Sequence, residues 1–584
     1  MEAYQDKISQ YLPALQNLKL NGYGELLTQT LYYFSQLDMD LYLNRVSKHN
    51  YPDFEPIALQ SLHYGTSRAI VETVYQWLEN ITLGKDFDFE RQLQILQHKF
   101  GNSIYGNPTI YSLLNTAYQM DIPTFLIWEE GLIQYGYGKY QIRGLSTIFD
   151  CDSLLDSDLT TQKDDSKDFL VNLGFPVPKG KIVYTLASAL AVIEEIGYPV
   201  AIKPVAGHEG IGVTAQITDK NSLINAFEKA QATSTTNPLV IEESLTGSDF
   251  RLVCVGKQFV AAVERRPPYV IGNGSQTLAE LIREENQREI RKDTPISPLT
   301  KILVDDVLKS YIKEQGLSLD RVIPLNQTVY LRKVANISAG GVSIDCTSDI
   351  HPDNRQLAED IAQYLGLACL GIDVIATDIS KSWQEGNFGI IEINASPGIF
   401  MHLKPAQGNS IDVPRHIFNF FFPKGKPSQI PIVTFNRLSK QELSYFIKYI
   451  LNIYPDYLIG GICQEGVYLN ERERIQQQPY NINIQSLLRH PRLDLLIAEY
   501  PESIFEKEGL FYQGSDLVIL VESTSKETVL ASSLLNQGIL LTKTADTLVK
   551  TTTAGRKTFQ LDNLEQYLNI CCQSILDIVL RDRG

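Results

Sequence analysis

Cysteine is sparse in this chain: seven in 584 residues, none in a CxxC pair. That excludes a disulfide framework and a thiolate zinc site, and makes a reducing cytosol the expected compartment. An excess of basic residues is also missing. The 52 Lys and Arg stand against 68 Asp and Glu, a formal net charge of −16. A nucleic-acid binder needs a basic footprint to displace counterions, so none is expected here. No run approaches the roughly 18 apolar residues that span a bilayer. The opening MEAYQDKISQYLPAL has no apolar leader core. Neither nucleic acid nor membrane is an expected partner. The eight His are scattered without HExxH-type spacing, so no histidine-based metal centre is expected. Cys571-Cys572 fall in a C-terminal helical pattern and read as buried thiols.

What is present is ordinary globular material. Hydrophobic residues are 43% and charged residues 21%, enough for real cores and too apolar for disorder. At roughly 150 residues per domain, two to four domains are expected. Residues 1–160 mix helical stretches (Tyr4–Leu18, Ala69–Leu78) with an aromatic-rich extended one (Thr124–Gln134) and read as α+β. The polar stretch Asp150–Lys167 reads as a linker entering a helix that stops at Gly174, before Pro176 and Pro178. Short strands follow at Ile182–Tyr184, Val200–Lys203, Leu239–Glu242, Leu252–Val255 and Phe259–Val263. A charge-rich, helical insertion covers about 267–328. Strands resume at Val329–Arg332, Ile372–Ala376 and Gly389–Ile393. Residues 426–584 read as a further α/β unit, with strands at Ile430–Val433, Leu493–Ala498 and Leu517–Val521 and a helix at Lys440–Leu451.

Four elements carry chemistry. Lys203 ends a strand, and Gly207, Gly210 and Gly212 follow in the loop GHEGIG. Glycines let backbone N–H groups approach phosphate oxygens, and the lysine can meet a phosphate as a point charge; such a hairpin is also common turn chemistry. Next come Glu242 and Glu243 at a strand end, then Asp249. They can accept an adenine amine and ribose hydroxyls, or be an exposed acidic strand end. The third element is Asp373 with Glu392-Ile393-Asn394. Glu392 and Asn394 are i and i+2 on a strand and share a face. Two carboxylates and an amide oxygen suit Mg²⁺ beside phosphates. The fourth is RKVANISAGG, in which Arg332 could steady a transferring phosphoryl group and Asn336, Ser338, Gly340 and Gly341 supply polar contacts and close backbone approach.

The order Lys203, glycine loop, Glu242, Asp249, Arg332, Asp373, Glu392-x-Asn394 resembles the series of ATP-grasp carboxylate–amine ligases. The stretches RLVCVGKQFVAAVERRPPYVIGNG (251–274), RKVANISAGGVSID (332–345), HPDN (351–354), LGIDVIATDI (370–379) and EINASPGIFMHLKP (392–405) look like the ATP-grasp module of cyanophycin synthetases. With QYGYGKYQIRG (134–144) and LGFPVPKG (173–180), the resemblance is strong over roughly 130–425. The first 130 residues resemble that family's N-terminal domain only in size and placement. The resemblance implies an N-terminal domain at 1–160, an ATP-grasp domain at 161–425 and a degenerate Mur-ligase-like domain at 426–584. It implies ATP and Mg²⁺ as cofactors, with Lys163, Lys203, the loop glycines, Glu242, Glu243 and Asp249 on ATP and Asp373, Glu392 and Asn394 on the metal. Arg332, Asn336 and Ser338 would be catalytic. Thr161, Arg251, Arg265, Gly340, Gly341, Ser396 and His402 would meet the polymer or its incoming unit.

Two departures stand inside the motifs. The family loop reads close to GNHGRG, so Glu209 and Ile211 replace its His and Arg, which leaves the backbone cradle and removes those side chains. Its Ser-Asp-Lys becomes Thr161-Gln162-Lys163, keeping a hydroxyl and the lysine. The C-terminal third departs further. Long cyanophycin synthetases open an arginine-adding half with a P-loop of the type VTGTNGKTT. Here Thr434-Phe435-Asn436-Arg437-Leu438-Ser439-Lys440-Gln441 follows the strand, with Phe435 and Leu438 where glycines are needed and Gln441 where a metal-binding hydroxyl belongs. About 150 residues follow, fewer than that half would need. The pattern resembles the short, second type of the family, found in cyanobacteria, which polymerises β-aspartyl-arginine dipeptides. Addition of free aspartate, or a glutathione-type ligation, stays open at this level. The chain is expected in the cytoplasm as a homodimer, with residues 426–584 packed on the ATP-grasp domain or forming the dimer interface.

Overall fold

The computed structural model describes residues 2–20, 22–37, 39, 44–45, 59–60, 64–128, 131–205, 212–233, 238–292, 294 and 297–583. The chain divides into two compact units. One gathers residues 101–113 and 144–421; the other gathers 1–100, 114–143 and 422–584. Both mix helices and sheets, an α/β multidomain architecture.

The unit of 144–421 holds two antiparallel sheets. The smaller runs Gly180–Val183, Leu239–Glu243, Val200–Pro204, Thr214–Ile217 in spatial order. Helices Leu186–Ile196 and Lys220–Thr233 cover it and bury Val192, Ile193, Leu223 and Phe227 against Ile202 and Ile241. The larger runs Val342–Asp345, Gln258–Arg266, Ser248–Val255, Cys369–Ala376, Phe388–Asn394. Helix Pro352–Tyr364 lays Leu357, Ala358 and Ile361 on its apolar face, where Leu252, Ile372 and Ile390 alternate with the opposite face. Between the outer two strands a lobe is inserted. It has a strand pair, Tyr269–Ile271 with Thr328–Tyr330, two capped helices, Leu278–Asn286 and Asp306–Glu314, and its own core of Leu278, Ile282, Leu308, Ile312 and Val329.

The stretch expected as a linker is ordered. Ser153 accepts from Asp156 N–H and starts helix Leu154–Thr161. Asp152 accepts from Ala368 N–H at 2.7 Å and Asp156 from Gly366 N–H at 2.8 Å. A polar composition read as a linker; two of its carboxylates instead close backbone donors of the core.

In the other unit a nine-stranded sheet has a parallel centre, Ile459–Cys463, Leu495–Glu499, Ile432–Phe435, Ser515–Val521 and Leu534–Thr544, and antiparallel edges. Helices Lys440–Ile453 and Leu564–Arg583 bury Phe446, Ile447, Ile575 and Val579 on one face, with Cys571 and Cys572 in the same core. Helix Tyr480–Leu488 packs on the other. The near-continuous apolar strands follow from burial on both faces. Near the N-terminus, Tyr11, Phe34, Trp77 and Phe89 form an aromatic cluster under helices Tyr23–Gln36 and Tyr64–Leu83. Helix Glu2–Ser9 ends before Pro13, short of the expected Leu18. The stretch Thr124–Gln134 is two strands, Thr124–Leu126 and Leu132–Tyr135. Among the described residues no helix is long and apolar enough to cross a membrane.

Candidate active site

Sheet register assembles the site. On the larger sheet Glu392 is the cross-strand partner of Asp373, and Asp373 of Arg251. Cross-strand partners share a face, so Arg251, Asp373 and Glu392 form one transverse row. Asp249 and its partner Arg265 lie one step along on the same face, two residues from Arg251. On the smaller sheet Lys203 and Glu242 are diagonal neighbours, because Lys203 pairs with Val240. Both sheets turn these residues into one cavity of ≈ 570 Å³. Lys163, Lys203, Glu242, Glu243, Asp249, Arg251, Arg265, Asn336, Asp373, Glu392 and Asn394 line it, with Pro204, Ile375, Ile391 and Met401 as apolar wall.

The charges are paired and largely buried. Arg251 grips Asp373 through Nε and through Nη2, the latter 2.9 Å from Oδ2. Arg265 Nη2 reaches Asp249 at 2.6 Å and Asp373 at 3.2 Å. Burial pushes the Asp373 carboxyl up, but the two guanidiniums outweigh it and hold the group below the usual carboxylate range. Asp249, with a smaller share of the arginines, is raised by burial. Glu242 lies between two lysines: Lys203 Nζ is 2.8 Å from Oε1, and Lys167 Nζ bonds Oε2. Burial lowers both ammonium groups, and for Lys167 the charge of Lys203 adds to it. Lys163 stands 3.6 Å from Glu392.

Lys167 is a site residue that motif reading missed. Its signal was present: Lys163 and Lys167 are i and i+4 in helix Lys163–Asn172 and share a face. The Arg332 stretch also differs from expectation. Val334, Ala335, Asn336 and Ile337 line the cavity, but Arg332 does not. Its guanidinium is held inside the inserted lobe by Asp305, at 2.7 Å, and by Leu303 C=O. Asn336 Oδ1 accepts from the N–H and the hydroxyl of Ser338, which is exposed. Gly340 and Gly341 serve the turn itself: a Cβ would meet Ile302 at 2.9 Å or Asn336 C=O at 2.6 Å. Thr161 donates to Asp158 C=O at a helix end, and Ser396 is exposed. Gly207 and Gly210 lie outside the described residues. Gly212 has φ +75°, the left-handed region, and no room for a Cβ beside Thr233.

Among the described residues, buried polar atoms without a protein partner include those of Asn394 and His402. The Asn394 amide nitrogen is buried without an acceptor. His402 is fully buried, with neither ring nitrogen bonded. Burial, then Arg251 and Arg265, hold its pKa down to about 3, so the ring is neutral. A buried polar atom without a partner is uncommon and points to a ligand or a second arrangement. The donors Asp373, Glu392 and Asn394 fit a hard divalent cation: two carboxylates and an amide oxygen on neighbouring strands.

Residues 162–251 match the family model described as carbamoyl-phosphate synthase L chain, ATP binding domain. A cyanophycin synthetase from Synechocystis is 33% identical over 440 residues, 74% of this chain and 50% of that protein. Another, from Geminocystis herdmanii, is 31% identical over 442 residues, with the same coverage. A glutathione biosynthesis bifunctional protein from Mannheimia succiniciproducens is 32% identical over 44% of this chain and 35% of its own. Among solved structures, a bifunctional glutathione synthetase from Pasteurella multocida covers 72% of this chain and 60% of its own, at 22% identity and a TM-score of 0.44. The chain spans about half the length of the cyanophycin synthetases it matches. Over that shared length it is a relative of the cyanophycin synthetases, built on an ATP-grasp fold.

Proposed function

We propose that this chain joins a carboxylate to an amine with ATP as co-substrate, and that it polymerises β-aspartyl-arginine dipeptides into cyanophycin. The observation that carries the ligase reading is the single cavity in which the row Arg251–Asp373–Glu392 faces Lys203 and Glu242. Lys163 and Lys203, which line the cavity, supply positive charge for a triphosphate. Arg251 and Arg265 supply planar donors for a carboxylate. The C-terminal α-carboxylate of the polymer attacks the γ-phosphorus of ATP, giving an acyl phosphate and ADP. The deprotonated α-amine of the incoming dipeptide then attacks the acyl carbon, and inorganic phosphate leaves. Asp373, Glu392 and Asn394 would hold Mg²⁺, which would supply neutralisation of the phosphate charge.

The dipeptide, in preference to free amino acids, is supported by the loop after strand Ile432–Phe435. Phe435 is fully buried and stacks on Phe446, and Ser439 and Glu442 cap the following helix reciprocally. A chain that adds only aspartate would stall for want of an arginine-adding site. We also propose that 1–160, 161–425 and 426–584 act as separate functional segments. The test uses purified protein, ATP and short cyanophycin, with aspartate, arginine and β-aspartyl-arginine supplied separately. ADP release should require the dipeptide. Comparable release with free aspartate would move the assignment to aspartate addition, and a product of fixed small size to a glutathione-type ligase.

A further inference from the structure

The cation site proposed above already has an occupant. Both oxygens of Asp373 are bonded by Arg251, and Arg265 adds a contact at 3.2 Å. A divalent ion cannot take that carboxylate while two guanidiniums hold it. Yet stripping a buried carboxylate of its partners is strongly unfavourable. An exchange avoids this, because one cation replaces another and the carboxylate is never left bare.

Exchange also requires somewhere for the displaced guanidiniums to donate. Asp249 already accepts from Arg265. His402, fully buried and within electrostatic reach of both arginines, offers ring nitrogens that bond nothing. A neutral imidazole can accept one hydrogen bond. The remaining donors point into a cavity that must also take an anion. Resting on the reading of Asp373 as a metal ligand, we infer that Arg251 and Arg265 are exchangeable counter-ions of that site: a divalent cation takes Asp373, the arginines turn to His402 and to the anion being activated, and cation and anion therefore bind cooperatively. His402 is the positioning residue of this exchange. By linkage, each ligand must tighten the other by the same factor.

The probe is Mn²⁺ followed by its electron paramagnetic resonance signal, with inorganic phosphate as the anion and no ATP, polymer or dipeptide present. With the unaltered chain, phosphate should tighten Mn²⁺ about tenfold, and Asp373→Asn should abolish that tight binding. Arg251→Gln removes a competitor, so Mn²⁺ alone should bind about tenfold tighter and the phosphate effect should largely vanish. His402→Phe fills the pocket without an acceptor for the displaced guanidinium and should weaken Mn²⁺ binding both without and with phosphate. Phosphate without effect on Mn²⁺ in the unaltered chain overturns the inference, and this measurement needs no variant to fold. A folded Arg251→Gln protein with unaltered Mn²⁺ affinity also overturns it. Mn²⁺ binding indifferent to Asp373→Asn sinks the metal assignment itself. Loss of dipeptide-dependent ADP release with the Mn²⁺–phosphate coupling intact sinks only the dipeptide reading.

Discussion

Two strand ends in this chain treat their polar groups in opposite ways. At Val200–Pro204 and Leu239–Glu243, Lys203 and Glu242 line a cavity, Lys167 bonds Glu242, and Asn394 on the same cavity keeps an amide nitrogen that no protein atom meets. At Ile432–Phe435 the end is closed. Phe435 fills the space under the loop, and Asn436 bonds Val521 through its amide oxygen and nitrogen and reaches Glu527 at 3.0 Å. The next helix spends its first-turn donors on Ser439 and on Glu465, and Lys440 is paired with Glu473 at the surface. Lysine beside a strand end thus carries no functional meaning by itself. What separates the two regions is the space beside the strand end: Lys203 and Glu242 line a cavity, whereas the groups after Ile432–Phe435 bond one another around the buried ring of Phe435.

The comparison breaks most visibly at the metal row. Glu392→Gln is nearly isosteric and removes one charge, so it should lower ADP release on the order of 10²-fold or more with an unchanged melting curve. A folded, active variant would return Glu392 to the status of Glu473, a solvated carboxylate. Arg332→Ala tests a residue that motif order put at the phosphates and the fold puts in the lobe. It should cost roughly 1–3 kcal/mol of stability through the contacts to Asp305 and Leu303, visible in urea unfolding, with a much smaller effect on turnover than Glu392→Gln.

The pH dependence sharpens the contrast between the lysines. Burial and the charge of Lys163 bring Lys203 down to about 8. Below that pH its ammonium is present to meet phosphates; above it, the free protein holds a neutral amine. Nucleotide affinity, measured by calorimetry, should therefore fall as pH rises through about 8, and binding there should take up protons from the buffer. Affinity flat from pH 7 to 9 would remove Lys203 from the phosphates. The smallest effect is expected at the closed strand end. Lys440→Ala should leave ADP release unchanged within about twofold, whereas Ser439→Ala should cost about 1 kcal/mol as a lost helix cap. A large activity loss from Lys440→Ala would reopen that loop as a nucleotide site.

Much of this was legible in the sequence because it is local. Glu392 and Asn394 share a face wherever a strand forms, since side chains alternate with period two. Phe435 and Leu438 deny a glycine nest whatever surrounds them, since their Cβ atoms cannot be removed. The strands Val200–Pro204, Leu239–Glu243 and Cys369–Ala376 announced themselves by apolar runs bounded by turn residues. Only the tertiary structure decided the rest, because it depends on register and on which distant segments become neighbours. The row Arg251–Asp373–Glu392 exists through the pairing of three strands, its outer members 141 positions apart in the chain, and a one-residue slip would turn each side chain to the other face. Lys167 meets Glu242, 75 residues away, and Arg332, expected at the phosphates, meets Asp305, 27 residues before it, in the inserted lobe. Motif order along the chain names the residue types a reaction needs. Strand register and burial in three dimensions determine which of them stand together at one cavity.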